Sequence, residues 1–99
     1  MTLRIGAEEE FHVLDVESGR LAPRARAVLD RLDGPGFTAE LQPSAVESNS
    51  GVHDTLDALH ADLAGSRRRL DAAASSLGLV SVAAGTVALA QIAPGRGTA

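Results

Sequence analysis

An α+β or α/β fold with one long amphipathic helix is what three features of this sequence predict. Residues 3–14 alternate between apolar and polar side chains. Residues 54–77 carry leucines at helical spacing. Short extended segments lie on either side of that helix. The resulting order is β, short α, β, long α, β, and 99 residues suit one small domain rather than two.

The first strand rests on parity. Leu3, Ile5, Ala7, Phe11 and Val13 share one face, whereas Arg4, Glu8, Glu10 and His12 share the other, the period of a half-buried strand. Residues 15–20 form a polar turn with Gly19 available for positive φ, and Leu21 and Ala22 can pair back briefly before Pro23. Residues 25–32 read as a short helix with Val28, Leu29 and Leu32 on one side, ended by Asp33-Gly34-Pro35-Gly36. Residues 37–49 are extended but contain Pro43, which removes a ladder donor. They form an edge strand, a bulged strand or two short pieces.

Leu56, Leu59, Leu63, Leu70 and Leu77 mark the long helix, with Asp54 or Thr55 as its N-cap and Gly78 in the C′ position. Such a stripe is a core face before it is a partner-binding face. Residues 79–84 then read as a short apolar strand, Gly85-Thr86 as a turn out of it, and residues 93–99 as loop.

Composition narrows the function classes. There are no cysteines, so disulfides and thiolate metal sites are excluded. The net charge of −4 and the lack of aromatic residues among the arginines argue against nucleic acid. No apolar run reaches the roughly 20 residues of a membrane helix, and the N-terminus enters a strand pattern without a signal-peptide segment. The expectation is a cytoplasmic protein with no membrane partner. Eighteen alanines and only two phenylalanines make a thin core for a lone domain, which suggests part of a larger fold.

The stretch GAEEEF, residues 6–11, puts three carboxylates in a strand, where Glu is depleted. Glu8 and Glu10 project to one face with Cβ atoms roughly 6–7 Å apart, while Glu9 turns to the side of Ile5 and Phe11. Two carboxylates so spaced are either a solvated strand face or ligands for a hard cation such as Mg²⁺. Glu40 and Glu47 are seven apart, so in a straight strand they face opposite sides. A break at Gln42-Pro43-Ser44 would bring them to one side.

Taken in order, Ile5-Gly6-Ala7-Glu8-Glu9-Glu10-Phe11, residues 18–24, Glu40-Leu41-Gln42 with Val46-Glu47 and Asn49, the long helix, and Ala83-Ala84-Gly85-Thr86 resemble the start of the type-2 glutamate–cysteine ligases, the YbdK-type carboxylate–amine ligases. The resemblance covers about residues 3–88. It implies an α+β, glutamine-synthetase-like catalytic fold, mostly antiparallel sheet with the long amphipathic helix packed on it, and an ATP-dependent reaction in which the γ-carboxylate of glutamate is phosphorylated and cysteine or another amine displaces the phosphate. It also implies that Glu8, Glu10, Glu40 and Glu47 bind Mg²⁺ or Mn²⁺, with ATP as co-substrate. Residues 1–99 would then be the N-terminal portion of a single ligase catalytic domain. The nucleotide- and substrate-binding residues would lie beyond Ala99, leaving the isolated chain inactive and prone to self-association through uncovered apolar surface. Two departures from the family pattern are Val87-Ala88, where members carry His-Pro, and Ser50-Gly51, where they carry Thr-Pro. Glu9→Gln should be tolerated better than Glu8→Gln or Glu10→Gln in metal-dependent turnover.

Of the remaining residues, His12 shares the face of Glu8 and Glu10, where a solvated side chain is expected. His53 and His60 lack ligand spacing and receive no role. Arg67-Arg68-Arg69 is expected on a solvated helix face, pairing with Asp62 or Asp71. A different class, a small non-catalytic cation-binding or protein-interaction domain, would draw on the same acidic face and leucine-rich helix.

Overall fold

A computed structural model describes residues 2–93. The expected α+β layout is present as one four-stranded antiparallel sheet carrying both helices on one face. In chain order the elements are β1 (Thr2–Asp15), α1 (Ala25–Leu29), β2 (Phe37–Ala39), β3 (Ala45–Asn49), α2 (Leu56–Ser75) and β4 (Leu79–Ala93). The sheet order is β2-β3-β1-β4, so β1 lies in the interior and pairs with both β3 and β4.

The alternation of β1 is a real two-sided pattern. Ile5, Ala7, Glu9, Phe11 and Val13 are buried, while Arg4, Glu8 and Glu10 are exposed. The strand ends at a turn built by Asp15, whose carboxylate accepts from the backbone N–H groups of Glu17 and Ser18 at 2.9 Å. Leu21 pairs back onto Leu14, as its apolar character suggests. The α1 helix stops at Leu29, short of residue 32, and lies against β2, β3 and α2.

Thr55 caps α2 by accepting the Ala58 N–H at 3.1 Å, and Gly78 leaves it at φ +72°, a conformation open to glycine. Its buried row is Leu59, Ser66, Leu70, Ala73 and Ala74; Leu56 is exposed, so the stripe begins one turn later than the leucines suggest. The core divides into two clusters. Ile5, Ala7 and Leu59 form the smaller, with Leu63 beside them. Phe11, Val13, Val28, Val46, Leu70 and Leu79 anchor the larger. Between the two, β1 presents Glu9 and α2 presents Arg67.

The expected turn at Gly85-Thr86 is not there. Strand β4 runs on to Ala93 and follows β1 back to Thr2. The glycine marks a bulge: Glu10 pairs with Gly85 but Phe11 pairs with Ala83, which leaves Ala84 as the extra residue. A 14-residue β1 keeps its ladder hydrogen bonds satisfied this way, and Thr86 and Val87 favour the extended state. Of the tail expected as loop, Ala93 ends β4 and residues 94–99 lie outside the described residues. No helix among the described residues is long and apolar enough to cross a membrane.

Candidate functional site

The face of the sheet away from the helices collects the acids. Glu8 and Glu10 project from β1, and Glu47 of β3 sits directly across from Glu10. Between residues 37 and 49 the chain reverses, so β2 and β3 form a hairpin with Thr38 opposite Glu47. Glu40 follows Thr38 by two residues and returns to the same side. The break near Pro43 is therefore a full turn, closed by the Ala45 N–H donating to the Gln42 carbonyl at 3.0 Å. An odd spacing becomes a shared face because the strand folds back on itself.

Glu8, Glu10, Glu40 and Glu47 line one cavity of about 310 Å³, completed by residues of β4 from Gly85 to Val87. Among the described residues, no arginine or histidine lines it. The neighbouring Glu40 carboxyl, partial burial and the negative charge of Glu8 together push Glu47 up to about 7. The four carboxylates thus share one cavity with no cationic side chain among its described lining residues. Among the described residues, no group of three or more His, Asp or Glu side chains is placed to hold a metal ion as it stands. The donor set suits a hard cation that keeps water or substrate oxygens as its other ligands, the habit of Mg²⁺.

Glu9 points the other way and is 1% exposed. The Arg67 guanidinium reaches down from α2 and grips both carboxylate oxygens, Nε to Oε1 at 3.1 Å and Nη2 to Oε2 at 2.5 Å. The Thr86 hydroxyl of β4 donates to Oε2 at 3.0 Å. These bonds hold the Glu9 carboxyl below its ordinary range against the opposing effect of burial, and Glu9 in turn raises Arg67. The expected pairing of the arginine run with Asp62 or Asp71 is replaced by this one. Helix rotation turns Arg67 onto the sheet-facing side, where an unpaired Glu9 would otherwise be buried. Asp62 instead binds His53, and Asp71 accepts from Ser81. Arg69 lies over the Phe37 ring, 5.1 Å from its centroid, and donates to the Asp33 carbonyl.

His53, to which spacing gave no role, helps fix the far end of β1. Its backbone N–H and carbonyl exchange 2.8 Å bonds with Ile5, and its Nε2 lies 2.7 Å from Asp62. The Ser50 hydroxyl accepts the Ala7 N–H at 2.7 Å. A Cβ on Gly6 would stand 3.3 Å from the Gly51 carbonyl, so the glycine of GAEEEF gives this loop its close approach. His12 lies 3.2 Å from the Ser44 hydroxyl and outside the acidic cavity.

A family model described as Glutamate-cysteine ligase family 2 (GCS2) matches residues 4–94. The chain is 49% identical over 83 residues to "Putative glutamate--cysteine ligase 2-3" of Frankia alni, covering 84% of this chain and 10% of that protein. It is 47% identical over 87 residues to the protein of the same name from Rhodococcus jostii, covering 88% and 11%. Against "Putative glutamate--cysteine ligase 2-2" of Mycolicibacterium smegmatis it is 49% identical over 85 residues, covering 86% and 21%. The chain therefore spans about a tenth to a fifth of these relatives' length. No solved structure matches it.

Proposed function

Because the chain belongs to glutamate–cysteine ligase family 2, a family of carboxylate–amine ligases, we propose that it supplies the cation-binding wall of such a ligase. Glu8, Glu10, Glu40 and Glu47 would hold Mg²⁺ or Mn²⁺. The observation that carries this reading is that four carboxylates, from β1, β3 and the β2–β3 turn, line one cavity with no basic side chain among its described lining residues. When bound, the cation neutralises phosphate oxygens during phosphoryl transfer from ATP.

The reaction this serves is transfer of the γ-phosphoryl group of ATP to the γ-carboxylate of glutamate, releasing ADP. Cysteine or another amine then attacks the activated carbonyl and phosphate leaves. The chain's own residues contribute charge and placement. Glu10 and Glu47 stand opposite each other on neighbouring strands, and Glu8 and Glu40 extend the donor set. Repulsion within this group opposes ionisation of Glu47, so cation binding favours the fully ionised set. Nucleotide and amino-acid binding fall to the remainder of a full-length ligase, and the cytoplasm, where ATP is available, is the proposed setting.

Titration of the chain with Mn²⁺, followed by water-proton relaxation, tests the reading. The native sequence should bind, and Glu8→Gln, Glu10→Gln and Glu47→Gln should each weaken binding by about tenfold or more. A native chain that takes up no Mn²⁺, or glutamine variants that bind as it does, would overturn the assignment.

A further inference from the structure

Three elements meet directly behind the acidic face. Arg67 of α2 grips both oxygens of Glu9 on β1, and Thr86 of β4 donates to one of them. Thr86 pairs with Glu9 two residues beyond Ala84, the extra residue of the β4 bulge. Its neighbours Gly85 and Val87 are the cross-strand partners of Glu10 and Glu8. A one-residue slip of β4 along β1 would turn Thr86 to the opposite face and remove its bond to Glu9.

Hydrocarbon side chains at these positions would fill the same gap between the two core clusters, and such a replacement is often neutral or stabilising for folding. What hydrocarbon lacks is direction. A forked guanidinium and a hydroxyl satisfy one carboxylate only where strand and helix stand in one alignment. We propose that Arg67, Glu9 and Thr86 form a register clamp that fixes the β4 bulge beside Glu10 and thereby positions Glu8 and Glu10 for the cation. Arg67, Glu9 and Thr86 are positioning residues, on the side of the sheet opposite the ligands. The clamp's consequence for binding rests on the cation assignment above, whereas its effect on register does not.

The test uses the 99-residue chain with two readouts, amide exchange at Gly85, Thr86 and Val87 and Mn²⁺ affinity. The double variant Glu9→Leu/Arg67→Met removes the clamp without leaving a buried charge. Its sheet should persist while exchange around the bulge quickens relative to Val13 and Val80, and Mn²⁺ affinity should fall about tenfold. Thr86→Val should move both readouts in the same direction by less. Glu8→Gln should lower Mn²⁺ affinity while leaving bulge exchange unchanged, which separates a ligand from a positioning residue. Wild-type exchange or wild-type Mn²⁺ affinity in the double variant overturns the proposal. Should that variant not fold, Arg67→Lys, which keeps the charge and loses the fork, is judged by the same two outcomes. If the native chain takes up no Mn²⁺, the cation assignment fails and the exchange data alone decide the clamp.

Discussion

Glu9 occupies a strand position whose neighbours on the same face, Ala7 and Phe11, are buried hydrocarbon, and Arg67 occupies a helix position between Leu63 and Leu70. Each breaks its own element's apolar period, and each is the other's remedy. Their energies are unequal. Removing Arg67 leaves a carboxylate without its counter-charge at 1% exposure, whereas Arg67 itself is half exposed and would rehydrate. Arg67→Ala should therefore lower stability by about 2 kcal/mol, less than for a pair buried on both sides. Glu8→Gln or Glu10→Gln should leave stability unchanged or raise it, since each removes a charge from a crowded anionic face. Urea unfolding of the three variants reads this directly, and equal losses in all three would refute the distinction. Glu9, expected from strand parity to tolerate substitution better than Glu8 or Glu10, is the one of the three that the fold holds by side-chain bonds, on the other side of the sheet.

At the scale of elements, the parity of β1, the extent of α2 and the break near Pro43 were legible because each is a local pattern with a period or a proline in it. The start of strand β4 at residues 79–84 was legible too, but its continuation to Ala93 was not, since Gly85 is as good a turn signal as a bulge signal until a 14-residue partner strand is known to lie beside it. The Glu9–Arg67 pair spans 58 positions, so only the two matching defects hinted at it. The latch at residues 50–53 was hidden for the same reason. There Asp62 of α2 accepts from the Gly51 N–H at 2.9 Å and binds the His53 ring, and both bonds hold its carboxyl below the ordinary range. A carboxyl so depressed favours the folded state above its unfolded pKa of about 3.9, and that contribution disappears as pH falls through the folded value. Thermal melts between pH 5 and pH 3 should therefore show a steeper loss for the native chain than for Asp62→Asn. Parallel curves would show that the latch does not report through Asp62.

At the scale of the whole molecule, one face of the sheet is covered by helices and, among the described residues, nothing covers the other. That second face carries the acids near β3, and exposed Val80, Val82 and Val87 on β4. Among the described residues nothing pairs with the outer edge of β4, and residues 79–93 contain no charged side chain. Long uncharged edges of this kind are templates for another strand, and natural sheets commonly protect them with lysine, proline or a covering element. The acids work against face-to-face stacking, because two copies would oppose like charges, but they lie away from the outer edge and do not guard it. Association should therefore run edge to edge through β4 and grow with concentration. Sedimentation velocity across a concentration series is the measurement. The native chain should shift to larger species as concentration rises, and Val82→Lys, which puts a charge beside that edge, should hold it monomeric. A native sedimentation coefficient that is flat with concentration would show that the edge is protected, and an unchanged series for Val82→Lys would place the contact elsewhere.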